Sequence, residues 1–126
     1  MKRILVFLFM LPVLLFSSCT KEDLGLSEEF VTGKWNVVWA SESTDEGVDF
    51  KPGLFYIVLN ANGGYTTVMI TESYKGAWSL DGNTVVGVTV DGITEYYKFK
   101  SLSGNTAEIE YTNTEGDKFK FRVIKE

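Results

Sequence analysis

Apolar and polar residues alternate along most of the chain from Gly64 to Ile124. A period of two is typical of strands with one buried and one solvated face. Short turn motifs interrupt the alternation at Asp81-Gly82-Asn83, Asp91-Gly92, Ser103-Gly104-Asn105 and Glu115-Gly116-Asp117. Because such turns leave no room for crossover helices, neighbouring strands must run antiparallel. The pattern therefore predicts a β-meander.

Two further strands precede this region, which gives eight in all. They are predicted at Lys34–Ser41, Leu54–Leu59, Tyr65–Ile70, Tyr74–Leu80, Thr84–Val90, Ile93–Lys100, Thr106–Tyr111 and Lys118–Ile124. An even number of up-and-down strands can close on itself, and closure removes both exposed edges. We therefore predict an all-β fold, an eight-stranded antiparallel up-and-down barrel over residues 33–126. A barrel of this size is either filled by side chains or holds one small ligand.

Charged residues suggest the register of the last three strands. If Lys100 opposes Glu108 and Glu110 opposes Lys118, opposite charges lie side by side on the outer face, and a one-residue slip would bury lysines. With a three-residue turn at 81–83 and a two-residue turn at 91–92, one inner face collects the apolar residues. Its expected members are Trp78, Val86, Val88, Val90, Ile93, Tyr97, Phe99, Ile109, Tyr111, Phe119, Phe121 and Val123, joined in the first strand by Trp35, Val37 and Trp39.

The N-terminal residues 1–18 read as a signal peptide. A basic start at Lys2-Arg3 precedes the hydrophobic run Ile4–Phe16, which is shorter than the roughly 20 residues of a membrane span. Cys19 follows this run after two small residues, Ser17 and Ser18, and is the only cysteine, so an internal disulfide is impossible. This leaves a free thiol or a modified one.

The residues around Cys19 resemble a lipoprotein processing site. Phe16-Ser17-Ser18-Cys19 is similar to the signal-peptidase II site of bacterial lipoproteins. The resemblance implies a lipidated Cys19 that carries acyl chains such as palmitate and anchors the protein to the outer membrane, on its periplasmic or surface face. Each CH₂ group that an acyl chain buries in the membrane contributes about 0.8 kcal/mol to the free energy of membrane binding, so several chains on one cysteine anchor the protein stably. Lys21-Glu22-Asp23 resembles a Bacteroidota surface-export signal, and a plain solvated linker is the alternative.

The linker, residues 19–32, is expected to contain one short helical turn. Ser27 suits its N-terminal cap, Glu28 and Glu29 its positive end, and Gly33 its stop. The barrel domain, residues 33–126, follows.

Composition excludes several kinds of chemistry. The formal charge is −5, and removal of Lys2 and Arg3 makes it −7, which argues against nucleic acid and anionic lipid headgroups as partners. The chain has no histidine, and Cys19 is assigned to the anchor, so histidine triads, thiol nucleophiles and zinc sites are not expected. We predict no catalytic residue, no cofactor and no enzymatic activity.

A cluster of acids in the long loop raises the question of a metal. Glu42, Asp45, Glu46 and Asp49 could supply oxygen ligands to calcium, but their spacing does not match an EF-hand. Solvated acids in a flexible loop are commoner, so no metal site is predicted.

Two tryptophan motifs resemble a known family. Gly33-Lys34-Trp35 matches the Gly-x-Trp signature of lipocalins, and Gly76-Ala77-Trp78-Ser79-Leu80-Asp81-Gly82-Asn83 resembles a motif of bacterial lipocalin-like domains. Ser101–Asn105 is similar to a turn of the same group. The resemblance covers Gly33–Ile124 and implies a barrel rather than a particular ligand. It also implies that a basic residue of the last strand packs over Trp35; Arg122 is the candidate, although alternation places it on the lysine face.

The candidate ligand-binding residues are inner-face groups near the open end: Trp39, Tyr74, Glu95, Tyr97 and Tyr111. Glu95 is the one acid that this register places inside, opposite Val88. A buried carboxylate needs a tyrosine hydroxyl, a water or a ligand; alternatively Glu95 reaches the mouth and is solvated. The aromatic rings either form a core or line a pocket for an apolar or sugar-like molecule.

Topology orients this site. Both termini of an up-and-down barrel lie at one end, so the loops at 42–53, 71–73, 91–92 and 112–116 gather at the other. The mouth then faces away from the anchor, with Glu42–Gly53 as its lid. We expect non-enzymatic binding of a small apolar or amphipathic ligand there, and the alternative is a filled barrel that binds another envelope protein. A cavity of about 300 Å³ or more favours the ligand.

Overall fold

A computed structural model describes residues 24–42 and 46–126. The predicted signal peptide (residues 1–18), the predicted lipidation site Cys19 and the motif Lys21–Asp23 lie outside the described residues. Within the described part, no helix has the length and apolar character needed to cross a membrane.

The described residues form one short helix and nine strands. Their bounds are α1 Glu28–Val31, β1 Gly33–Ser41, β2 Val48–Asp49, β3 Phe55–Leu59, β4 Gly64–Met69, β5 Glu72–Asp81, β6 Thr84–Thr89, β7 Thr94–Ser103, β8 Thr106–Asn113 and β9 Lys118–Lys125. From β3 onward each strand pairs antiparallel with the next, and β1 pairs with both β3 and β9. This closure confirms the predicted eight-stranded up-and-down barrel. The two-residue strand β2 was not predicted, and it pairs with the C-terminal end of β1.

Helix α1 closes one end of the barrel, which we call the lower end. The Ser27 hydroxyl accepts a hydrogen bond from the Phe30 amide at 3.1 Å, which confirms the predicted cap. Val31 is fully buried, and its carbonyl accepts a hydrogen bond from the Trp35 indole at 2.9 Å. Side chains also fill the lower half of the lumen, where only about 10 Å³ remains among Trp35, Ile57, Leu59, Val85, Tyr97, Phe99 and Ile109.

Strand β6 presents the opposite face from the one predicted. Val85, Gly87 and Thr89 point inward, whereas Val88 and Val90 are exposed. The turn before β6 has two residues rather than three, because Asp81 pairs with Thr84. Gly82 adopts a φ of 61° there, as a tight hairpin turn of mirror-image type requires. A one-residue slip moves every side chain to the other face, so the inner positions predicted for Val86, Val88 and Val90 are wrong.

Strand β7 recovers its predicted faces because the next turn is one residue longer than expected. The Thr89 amide donates to the Ile93 carbonyl, so three residues instead of two form the loop. The two errors in turn length cancel. Gly87, rather than Val88, therefore lies opposite Glu95.

The charged outer face of β7, β8 and β9 is confirmed, although its pairing differs in detail. Lys98 opposes Glu110 as the expected register requires, and then a bulge puts Ser101, instead of Lys100, opposite Glu108. In β9 the partner of Glu110 is Lys120 rather than Lys118. Because this shift is two residues, the apolar residues Phe99, Ile109, Tyr111, Phe119, Phe121 and Val123 keep the inner face.

A bulge in β1 moves Trp39 out of the lumen. Arg122 pairs with Trp39 but Val123 pairs with Val37, so Val38 is an extra residue on β1. Ala40 takes the inward position, and the Arg122 guanidinium lies 4.9 Å from the centre of the Trp39 ring on the outside. The predicted inner-face position of Trp39 is therefore wrong. Gly47 covers this ring so closely that a Cβ there would lie 2.3 Å from Trp39 Cε2.

The basic residue nearest to Trp35 differs from the expected one. Arg122 covers Trp39, as described above, whereas the Lys125 ammonium lies 5.8 Å from the centre of the Trp35 ring. The same ammonium donates a hydrogen bond to the Phe30 carbonyl. Lys125 thus ties the end of β9 to the helix that closes the barrel.

Candidate functional site

The upper half of the barrel encloses a cavity of about 820 Å³. Exposed side chains such as Ile70 and Asp91 form its rim, so it opens at the end opposite α1. Apolar side chains supply much of the wall: Ala40, Phe50, Phe55, Met69, Ile93, Phe119 and Phe121. The volume lies well above the approximate lower limit of 300 Å³ for small-molecule sites.

One carboxylate at the wall of this cavity is surrounded by tyrosines. Glu95 is 3% exposed. Its Oε1 accepts hydrogen bonds from Tyr65 and, at 3.2 Å, from Tyr97. Its Oε2 accepts from Tyr74 at 2.8 Å and from Tyr111 at 2.5 Å. An ionised carboxylate has about four acceptor positions, so the four hydroxyls saturate it. Of the alternatives that the sequence left open, Glu95 is paired with tyrosines rather than solvated at the mouth.

The tyrosines are held in their neutral form. Burial raises the pKa of Tyr65, Tyr74, Tyr97 and Tyr111 above the ordinary value of about 10, and the adjacent Glu95 charge raises it further. At neutral pH all four hydroxyls therefore act as donors to Glu95. We call these five residues the Glu95–tyrosine cluster.

Strand alternation and one glycine assemble this cluster. Glu95 and Tyr97 are alternate residues of β7, and Tyr97 pairs with Tyr111 on β8. Tyr65 comes from β4, and its ring packs against Gly87 of β6, where a Cβ would lie 2.5 Å from Cε1 of the ring. Glycine at this position therefore lets the Tyr65 hydroxyl reach Glu95.

Four of the five predicted site residues come together in this structure. Tyr74, Glu95, Tyr97 and Tyr111 form the cluster and line the cavity, while Trp39 lies outside. Sequence reasoning missed Tyr65 and Thr67, whose hydroxyl lies 3.5 Å from that of Tyr97, and it missed Asn113. The signal that could have found Tyr65 and Thr67 is the period of two in the third predicted strand, which places both residues on the same face.

Comparison with known proteins supports the fold alone. The sequence matches no family model and no curated protein. The structure is similar to the crystal structure of an uncharacterized protein from Bacteroides eggerthii DSM 20697. That likeness has a TM-score of 0.55 and 12% sequence identity, and it covers 75% of this chain and 98% of the other. An eight-stranded barrel is therefore shared with a bacterial protein.

The described residues of the segment predicted as a lid, Glu42–Gly53, contribute to the wall instead. Val48–Asp49 pairs with β1, and the Phe50 amide donates to the Val38 carbonyl at 2.9 Å. Phe50 packs edge-on against Phe55, with ring centres 5.6 Å apart, and is the described residue of Glu42–Gly53 that lines the cavity. In the described residues of this segment, the chain extends the barrel rather than covering its mouth.

The acids around the cavity are not grouped as metal ligands. Within residues 24–42 and 46–126, no set of three acidic side chains is placed to hold a metal ion. The acids of the rim, Glu72, Asp91, Glu115 and Asp117, instead stand around the opening.

The turn between β4 and β5 is strained at the rim. Ile70 has a φ of 60°, and for a β-branched residue this conformation costs about 1–2 kcal/mol. Ile70→Gly is expected to raise the free energy of unfolding by about 0.5–1 kcal/mol, because glycine relieves the strain but loses more chain entropy. Urea unfolding followed by circular dichroism measures this. Thr71→Gly in the same turn is the control and is expected to destabilise; equal effects would contradict the strain.

Proposed function

We propose that this protein is a lipid-anchored, lipocalin-like protein that binds one small apolar or amphipathic ligand in the upper cavity. The observation that carries the proposal is the enclosed volume of about 820 Å³ behind an open rim. Small-molecule sites typically occupy about 300–1,000 Å³ and combine an apolar wall with a few fixed polar groups. The phenylalanines of the wall and the Glu95–tyrosine cluster fit that description.

The division of the lumen favours this function over a filled barrel that binds another envelope protein. In the lower half, ring and aliphatic side chains occupy the space, which stabilises the fold. In the upper half the side chains leave a cavity of about 820 Å³. A core packed throughout would serve a protein–protein module equally well, so the open half has no role under that alternative.

The proposed role is non-enzymatic. Tyrosine hydroxyls occupy the acceptor positions of Glu95, which leaves this carboxylate poorly placed to abstract a proton from a ligand. The cluster instead provides a rigid polar floor that orients whatever enters the cavity.

Filling the cavity tests the binding proposal. Ala40 lines the cavity, so Ala40→Phe is expected to weaken binding of the neutral fluorophore N-phenyl-1-naphthylamine by at least about tenfold. Fluorescence titration measures the affinity. Ala77→Phe, which adds the same ring to an exposed position of β5, is the control and should leave the affinity unchanged. Absence of fluorophore binding to the unaltered protein would refute the proposal.

The lipid anchor is proposed from the sequence around Cys19. Leu24 hydrogen-bonds to the Asn83 side chain at the lower end, so a chain anchored through Cys19 would leave the mouth facing away from the membrane. Cells fed labelled palmitate are expected to label the protein and to leave Cys19→Ser unlabelled. Labelling of both forms, or of neither, would contradict the anchor.

A further inference from the structure

Charge around the cavity has a single sign. Glu72, Asp91, Glu115 and Asp117 stand at its rim, and Glu95 lies below them. Among the described residues that line the cavity, none is a lysine or an arginine. On the outer face of β7–β9, by contrast, positive and negative side chains lie side by side and form ion pairs. A cleft lined by one sign of charge focuses the field and raises the local concentration of the opposite ion.

Hydrogen-bonding capacity inside the cavity is also one-sided. Tyr74, Tyr97 and Tyr111, the tyrosines of the lining, donate their hydroxyl protons to Glu95, so only acceptor lone pairs remain on their oxygens. The Asn113 amide nitrogen donates both its protons, to Tyr111 at 3.1 Å and to Asp117 at 3.0 Å. The other side-chain donors of the lining are the hydroxyls of Thr67, Ser73 and Thr89. A ligand group that donates hydrogen bonds therefore finds many partners, and one that only accepts finds few.

Aromatic rings favour the same kind of group. Tyr74 and Phe119 belong to the lining and are partly exposed, and the face of an aromatic ring attracts a cation within about 6 Å. Phe55 and Phe121, which are buried, offer apolar contact, with ring centres 5.3 Å apart.

We propose that this cavity is selective for amphipathic amines, which place a cationic nitrogen among the rim carboxylates and an apolar body against the phenylalanines. This inference rests on the proposed binding function and adds the charge of the ligand to it. The cavity makes the site, and the rim acids set its selectivity. A carboxylate or phosphate headgroup would meet like charges, and this repulsion discriminates against fatty acids and anionic lipids.

Three compounds that share a decyl chain and differ in headgroup test the proposal. Decylamine, 1-decanol and decanoate are titrated by calorimetry at pH 7, below the concentrations at which they form micelles. Decylamine is expected to bind at least about tenfold more tightly than decanoate, with decanol between them. Raising the salt from 0.05 to 0.5 M should reduce the preference, because exposed carboxylates are screened over about 8 Å at physiological salt.

Two double variants, each of which replaces two carboxylates by amides, separate the effect of the rim acids from the effect of the protein's net charge. The double variant Asp91→Asn/Glu115→Gln is expected to lower the ratio of amine to carboxylate affinity by at least about threefold. Glu108→Gln/Glu110→Gln removes the same charge from the outer face and should leave that ratio unchanged. If none of the three compounds binds, the proposed function itself fails. If all bind alike, or if the outer-face variant lowers the ratio equally, binding stands and the amine selectivity is overturned.

Discussion

Replacement of Glu95 by leucine is expected to lower the free energy of unfolding by about 2–4 kcal/mol. The substitution leaves four tyrosine hydroxyls without their acceptor, and each buried unsatisfied polar group costs about 1–3 kcal/mol. The total stays below the sum of four such penalties, because water in the adjoining cavity can reach some of the hydroxyls. Leucine also removes the buried carboxylate of Glu95, and the desolvation cost that is thereby avoided offsets a further part of the loss in stability.

Urea unfolding followed by circular dichroism measures this effect. Two further variants show whether it comes from the lost hydrogen-bond acceptor at this buried position. Glu95→Gln keeps the shape but brings two donors against four hydroxyl donors, so we expect an intermediate loss of about 1–2 kcal/mol. Glu110→Gln on the outer face removes an exposed carboxylate and should change stability by less than about 0.5 kcal/mol. A leucine variant as stable as the unaltered protein would show that the cluster merely compensates for the desolvation of its own charge.

Much of the barrel could be predicted from two local signals. Alternation identifies the strands, and the Gly-Asn and Asp-Gly turns separate them with too few residues for a crossover. The charged columns on β7, β8 and β9 fixed which face is solvated, even where the pairing of Glu110 was off by two residues. A register error of two residues leaves every side chain on the same face of the sheet, so the inner positions of Phe99, Ile109 and Phe121 were predicted correctly.

Errors of a single residue caused the failures. The turn at Gly82-Asn83 is shorter by one residue than predicted, and Val38 forms a bulge, and each reverses a face. Valine is equally suited to both faces of a strand, so the run from Val85 to Val90 gives no signal of the slip. The Tyr65 ring needs the space at Gly87, and this contact fixes which face of β6 points inward. It joins residues that lie far apart in the sequence.

The same physics explains why the site was only partly predicted. A carboxylate on the inner face of a strand must find donors, and this requirement pointed to tyrosines near Glu95. Tyr74, Tyr97 and Tyr111 were predicted, but Tyr65 was not, because the wrong face of β6 placed Val88 instead of Gly87 opposite Glu95. Sequence patterns predict which groups face inward; the length of each turn decides which of them meet.

Alkaline pH is expected to destabilise this protein steeply, by about 3 kcal/mol between pH 10 and pH 11. Tyrosines of the unfolded chain ionise near pH 10, whereas burial and the Glu95 charge keep the pKa of Tyr65, Tyr74, Tyr97 and Tyr111 higher in the folded state. The folded protein then holds protons that the unfolded chain has lost, so stability must fall as pH rises. Their full contribution is present below about pH 10.

Each such tyrosine contributes about 1 kcal/mol over this interval, and we discount the total because Tyr74 is partly solvated. Urea midpoints at pH 8, 10 and 11 measure the fall, and absorbance at 295 nm reports tyrosinate directly. At pH 11 the absorbance should rise sharply when the protein unfolds, as the cluster releases its protons together. Tyr74→Phe removes one of the four groups and should make the fall smaller. If the cluster were already ionised in the folded protein at pH 11, unfolding would add little tyrosinate, and the hydroxyls could not be the donors that hold Glu95.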